Sequence, residues 1–297
     1  MTFANYILNK TLSNRFYSIS FIIFTLLINV YIMKSIDYRV LTQKVILIAK
    51  EAGAFLKEEI NQINDSDVEE KGLHDLVTYV DKTAERMLVY ALSDLITEAG
   101  FSAEEGTRST RGKEYNWIID PLDGTTNYIH GVPLYAVSIA LIKNEEIVLG
   151  VIYEPNLDEC FYSWKGGASY LNYKTIQVSE TQKVDQSLFA TGFPYYDYHL
   201  IQEYMQLFEY LMRHSHGIRR LGTAAMDLAY VACGRYDGFY EYGLHAWDVA
   251  AGTLIVQNAG GLNVDFSGGS DYLFGKEIIS VNVPLSEEFI QLIKRFF

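Results

Sequence analysis

The chain has 297 residues, 49% of them hydrophobic and 21% charged, a balance that excludes a disordered protein and allows one large domain or two small ones. Its formal net charge of −13 excludes nucleic acid and anionic membrane surfaces as partners sought by charge. An enzyme of this acidity that handles anions needs local positive charge, for which a metal is the simplest source.

Residues 16–33 carry no charge and are rich in Phe, Ile and Leu, and about 18 such residues is the lower limit for a membrane-spanning helix. No pair of small residues follows the run, so a signal peptide fits poorly. Residues 1–32 therefore read as a hydrophobic N-terminal extension with two open accounts. One is a mis-assigned start, Met33 being the true one. The other is a single membrane anchor through residues 16–33, the only account in which a membrane is a partner. Two cysteines, Cys160 and Cys233, are too few for a disulfide framework and wrongly spaced for zinc, which suits a reducing cytoplasm.

Residues 33–297 read as one domain of alternating helices and strands. Leu41, Val45, Ile48, Ala52 and Phe55 fall at helical spacing, as do Ala84, Leu88, Ala91 and Leu95. Trp117, Ile118 and Ile119 read as a buried strand that ends on Asp120 and is broken by Pro121. Strands are then predicted over residues 134–142, 147–153 and 160–164, hairpin-like and so antiparallel. Helices follow over residues 199–213 and 223–233. The last third reads strand, helix, strand over residues 238–240, 249–258 and 261–264. Partly segregated helix and strand runs indicate layered helices and mixed sheets.

The stretch WIIDPLDGTTNY carries the chemistry. Asp120 and Asp123 are placed by Pro121 on a tight turn at a strand's end, and two carboxylates this close repel unless a cation or proton lies between them. Hard oxygen ligands favour Mg²⁺. Gly124 lets backbone approach a ligand, and the N–H groups of residues 124–127 open a helix that can receive a phosphate. The plainer account is an Asx turn with Asp123 as a helix cap. Glu104 and Glu105 in an upstream loop have a plain account as solvated acids, Asp248 as a helix N-cap, and Asp81 as a cap for the helix holding Ala84 and Leu88. For Asp81 a mixed role is expected, capping while facing the acids.

Taken together, DLVTYVD, AEEG, WIIDPLDGTTNY, GTAA and EYGLHAWDVAAG resemble the inositol monophosphatase family over most of residues 36–297. The resemblance implies an α/β (α+β layered) fold, the five-layer αβαβα sandwich of the inositol monophosphatase and fructose-1,6-bisphosphatase type. It implies an Mg²⁺-dependent phosphatase of small phosphate monoesters, foremost inositol-1-phosphate, sensitive to Li⁺ and working as a homodimer. Carried across by position, Glu104, Asp120 and the Leu122 carbonyl hold one ion, while Asp120, Asp123 and Asp248 hold another. A third, looser ion reaches Glu104, with Asp81 nearby. Thr125, with Glu104 or Asp81, orients the attacking water, and the N–H groups of Gly124 and Thr125 bind phosphate oxygens. Glu241, the Gly222-Thr223-Ala224 turn and Asp248 meet the substrate's hydroxyls, and Lys71 aligns near the phosphate.

Ala103 stands where many members have Gly, and the TGFPYY stretch resembles bacterial members, which brings histidinol phosphate and other sugar or polyol phosphates forward as alternative substrates. The haloacid dehalogenase pattern separates its acids by one residue, whereas Pro121 and Leu122 both intervene here. An alternative of another class is a non-catalytic partner in transcription antitermination, a role one bacterial member serves. On so acidic a chain it would run through protein contacts and not through direct nucleic-acid binding.

Overall fold

The computed structural model describes residues 36–63, 68–72, 75–194 and 197–297, so both accounts of residues 1–32 lie outside the described residues. Residues 38–297 form one compact unit. No helix among the described residues is long and apolar enough to cross a membrane.

Helix α1 (Tyr38–Glu59) buries Leu41, Val45, Ala49, Ala52 and Leu56 along one stripe, with Ile48 and Phe55 at its half-buried edge. After the short hairpin β1 (Val68–Gly72) and β2 (Asp75–Thr78), α2 (Tyr79–Leu95) buries Val80, Ala84, Leu88 and Leu92. Both helices lie on one face of a seven-stranded sheet. Its strands are, in spatial and chain order, β3 (Gly100–Ala103), β4 (Tyr115–Asp123), β5 (Ala136–Lys143), β6 (Glu146–Glu154), β7 (Glu159–Trp164), β8 (Ser169–Leu171) and β9 (Lys174–Ile176). From β4 onward every pair is antiparallel, as the hairpin pattern predicts, while β3 runs parallel to β4. The one-turn helix α3 (Thr125–Ile129) follows β4.

The second sheet has five strands in the order β11 (Gly217–Arg219), β10 (Leu188–Thr191), β12 (Gly238–Tyr242), β14 (Glu277–Asn282) and β13 (Gly261–Val264). Helices α4 (Ile201–His214) and α7 (Val283–Phe296) cover its outer face. Between the sheets lie α5 (Ala224–Ala232) and α6 (Ala246–Asn258). Residues 249–256 of α6 are all buried, as expected of a helix that is apolar on every side and packed between two sheets. The order α1/α2, sheet, α5/α6, sheet, α4/α7 is the layered αβαβα sandwich.

One correction concerns the stretch around Pro121. The strand does not end at Asp120. It continues through Pro121 to Asp123, paired with β5 from Tyr115↔Lys143 to Asp123↔Ala136. Asp120 pairs with Ser138 and Asp123 with Ala136, so three steps on β4 match two on β5: a β-bulge. Pro121 has no N–H to give, and a bulge is where a strand tolerates that. In a regular strand Asp120 and Asp123 would face opposite sides. The extra residue brings both to one cavity.

Candidate active site

The inner ends of β4, α3, α5, β12 and α6 enclose a cavity of about 240 Å³. Glu104, Asp120, Leu122, Asp123, Gly124, Thr125, Ala224, Glu241 and Asp248 all line it. These nine come from positions up to 144 residues apart, and every site residue expected from the sequence lines the cavity except Asp81, which joins through Thr125, and Lys71.

Backbone donors orient each acid. Asp120 Oδ1 accepts the Leu122 N–H at 2.9 Å, across the bulge. Asp123 Oδ2 accepts the Ala225 N–H at 2.7 Å and the Thr223 hydroxyl at 2.5 Å, so the start of α5 holds it. Thr223 is thereby tied to Asp123 and caps α5 through the Met226 N–H, a role that its match to the polyol contacts did not show. Asp248 Oδ2 accepts the His245 N–H at 2.6 Å, so the residue before α6 supports that turn. Asp248 is not the N-cap but the third residue of α6, because the helix begins at Ala246. Asp81 likewise stands third in α2, where its Oδ2 accepts from Thr78 N–H at 2.8 Å and Thr78 Oγ1 at 2.6 Å; Thr78 is the cap. Its Oδ1 receives the Thr125 hydroxyl at 3.1 Å, and the same hydroxyl lies 3.1 Å from the Leu122 carbonyl.

The Glu104 loop is held from behind. The Glu85 carboxylate, buried on α2, accepts the Glu105 N–H at 2.7 Å and the Thr107 N–H at 2.6 Å, while Glu104 N–H donates to Ile119 O at 3.2 Å. On the other side, Asn127 Nδ2 donates to Leu134 O and Leu221 O, both at 2.8 Å, and so ties α3 to the turn before α5. Gly124 opens α3 with φ +98°, a left-handed conformation that glycine adopts without strain. Neither Glu85 nor Asn127 is legible as a site residue in the sequence. The one signal is an acid at the buried spacing of α2. The side chain of Lys71 lies outside the described residues.

Burial, and next the charges of Glu104, Asp123 and Asp248, push the Asp120 carboxyl well above the usual range. Asp248 is raised by burial and by Asp123, against the His245 N–H. Asp123 is raised by burial to about 6, held down by Thr223 and the first N–H groups of α5. Burial raises Asp81 too, against its bonds from Thr78 and Thr125. Among the described residues no trio of acid, His or Cys side chains already has ligating spacing. Burial and the charges of neighbouring acids raise Asp120 and Asp248, and a divalent cation drawn between them would relieve that repulsion. An all-oxygen donor set of carboxylates and one carbonyl fits a hard cation.

A cavity walled by clustered acids, next to a helix start with a glycine before it, is the layout of a phosphate-ester hydrolase, and the comparisons agree. The inositol monophosphatase family model matches residues 37–295, and the chain belongs to that family. It is 38% identical over 248 residues to the inositol-1-monophosphatase of Mesorhizobium japonicum, covering 83% of this chain and 93% of that protein. It is 41% identical over 239 residues to the Nus factor SuhB of Pseudomonas aeruginosa, covering 79% and 88%. Among solved structures, the extragenic suppressor protein suhB of Bartonella henselae superimposes with a TM-score of 0.82 at 38% identity, over 86% of this chain and 99% of that one. The chain is thus a phosphatase-type hydrolase.

Proposed function

We propose that the chain is an Mg²⁺-dependent phosphatase of small phosphate monoesters, inositol-1-phosphate foremost. The observation that carries this reading is the convergence of Glu104, Asp120, Asp123 and Asp248 on one cavity wall beside the Asp81–Thr125 hydrogen bond. Glu104, Asp120 and the Leu122 carbonyl would hold one ion, and Asp120, Asp123 and Asp248 a second, with a looser third near Glu104 and Asp81. Cations bound there supply Lewis acidity that lowers the pKa of a water and neutralises charge gathering on phosphate oxygens.

The chain's own residues do the rest. The Thr125 hydroxyl donates to Asp81, so its oxygen lone pairs are turned to accept a proton from a water, and Asp81 takes the hydroxyl's proton in turn. The N–H groups of Gly124 and Thr125 receive phosphate oxygens. Glu241 and the backbone at Ala224 meet hydroxyls of the alcohol. Burial raises Glu241 to about 8 against the pull of Arg220, so near neutral pH it can donate as well as accept. The homodimer is proposed on family resemblance.

Phosphate release from a panel of monoesters, with and without Mg²⁺ and with Asp120→Asn, tests the reading. Release that needs Mg²⁺ and vanishes in the variant supports it. Release that persists without divalent cations, or in Asp120→Asn, sinks it. The similarity to a protein named as a Nus factor favours one further reading, a role in transcription through protein contacts. Retention of a transcription partner by Asp120→Asn in a pull-down would separate that role from catalysis.

A further inference from the structure

Strand β10 ends at Thr191, and the next residue, Gly192, lies against Glu241 of the neighbouring strand β12. A Cβ at Gly192 would stand 2.0 Å from the Glu241 carboxylate carbon and Oε1, and 2.1 Å from Oε2. The carboxylate therefore fills the space that a side chain at this position would take. Both residues line the cavity. The turn that carries Gly192 is clamped from behind. The buried Tyr204 hydroxyl, on α4, donates to the Gly192 carbonyl at 2.8 Å and lies 3.0 Å from Thr191 Oγ1, which donates to Tyr240 O at 2.7 Å. Phe193 packs edge-on to Tyr204 and Phe208, with ring centres 6.4 and 6.3 Å away.

A structural account of this glycine would be a backbone that only glycine adopts. Gly192 lies outside the left-handed region, so its conformation is open to other residues. Space is what the position requires, and the three nearest atoms in that space belong to one carboxylate. The clamp decides what would yield to an added methyl group. A turn held by the Tyr204 hydroxyl and two aromatic rings is fixed on several sides, whereas the end of a Glu side chain can turn to another staggered rotamer.

We propose that Gly192 is a positioning residue: by lacking a side chain it seats the Glu241 carboxylate, and the Tyr204 hydroxyl locks that seat, so that the alcohol leaving the phosphate meets an acid held in one place. The proposal rests on the phosphatase reading and on Glu241 as a contact of the alcohol. An acid fixed before the substrate arrives spares the cost of ordering it on binding.

The test is a double-mutant cycle on the full chain in Mg²⁺, read as kcat/KM for inositol-1-phosphate divided by that for phenyl phosphate, whose alcohol has no further hydroxyl for Glu241 to meet. Gly192→Ala should lower this ratio roughly tenfold in the wild-type background and less than about twofold beside Glu241→Ala, where no carboxylate is left to displace. Tyr204→Phe, which deletes one hydroxyl, should lower it roughly threefold with the same dependence on Glu241. Losses of equal size with and without Glu241 overturn the proposal, since a residue that serves only the fold acts independently of the acid. So does a Gly192→Ala ratio within about twofold of the wild type. Should the Gly192→Ala chain fail to fold, the Tyr204→Phe cycle decides. A Glu241→Ala ratio that matches the wild type overturns the proposal through the contact it rests on. A wild type that releases phosphate from neither probe overturns the phosphatase reading instead, a separate failure.

Discussion

Asp81 and Asp248 occupy the same position in two different helices: each is the third residue, and each turns one carboxylate oxygen back to the N–H of its helix's cap residue, Thr78 at 2.8 Å and His245 at 2.6 Å. Capping fixes the side chain, and the fixed side chain serves the site. Asp81→Ala should therefore lose about 1 kcal/mol of stability and about 10- to 100-fold in turnover. Thr78→Ala should lose about the same stability while keeping turnover within several-fold. Urea unfolding beside phosphate release separates the two, and equal losses of turnover would sink the double role.

Glu85 carries a prediction of a different kind. It never faces the cavity, but it holds the Glu105 and Thr107 N–H groups. Glu85→Ala should raise the Mg²⁺ needed for half-maximal activity by about 10- to 100-fold, the range seen when a ligand's support is removed. Hydrogen exchange at residues 105–107 should speed up with it. Unchanged exchange would show that the loop is held by something else.

The mutual repulsion around Asp120 makes Mg²⁺ a stabiliser. At a hundred times its Kd the ion should add about 2.7 kcal/mol, a rise in Tm of roughly 5 °C or more. Asp120→Asn removes the acid at the centre of that repulsion, so the metal-free variant should melt above the metal-free wild type, gain little from Mg²⁺ and release no phosphate. A calorimetric scan of four samples is enough, and a full Mg²⁺ shift in the variant would contradict the shared-ligand assignment.

Cys160 lies buried on β7, and burial pushes its thiol up to about 12. Its folded pKa is above the unfolded value of about 8.5, so the folded chain keeps the proton; the contribution to stability is complete below pH 8.5 and lost as pH rises toward 12. At pH 8 the native thiolate fraction should be roughly a thousandfold below that of the unfolded chain. Iodoacetamide should accordingly leave Cys160 intact until urea is added, as peptide mass mapping would show; rapid native labelling would refute the burial.

Much of this architecture is legible in the sequence, and the pattern of what is not has a physical cause. The α1 and α2 stripes, the antiparallel run β5–β6–β7 and the acids of WIIDPLDGTTNY each declare themselves within a dozen residues. Asp123 is legible too, but Thr223, which holds it, is 100 residues away. Asn127 reaches Leu221 across 94 residues, and Glu85 reaches Thr107 across 22. Such supports have ordinary polar side chains whose meaning arises only from the neighbour the fold delivers. The strand β3 was missed because four residues, GFSA, carry no alternation, and its parallel partner is what makes it a strand. Pro121 misled for the opposite reason: a local rule about strands gave way to a bulge.

That bulge sets an unusual condition on the length of the chain. Deleting Leu122 would give β4 and β5 a clean ladder, relieve the irregularity at Pro121 and preserve most of the core, so such a chain should fold well. It would leave the two acids on one face, but it would take away the Leu122 N–H that holds Asp120 Oδ1 and the Leu122 carbonyl proposed as a metal ligand. The count of residues between the two acids is thus under a constraint that folding does not impose. Side chains in this interval can vary more readily than its length, and a well-folded, inert protein is one codon away.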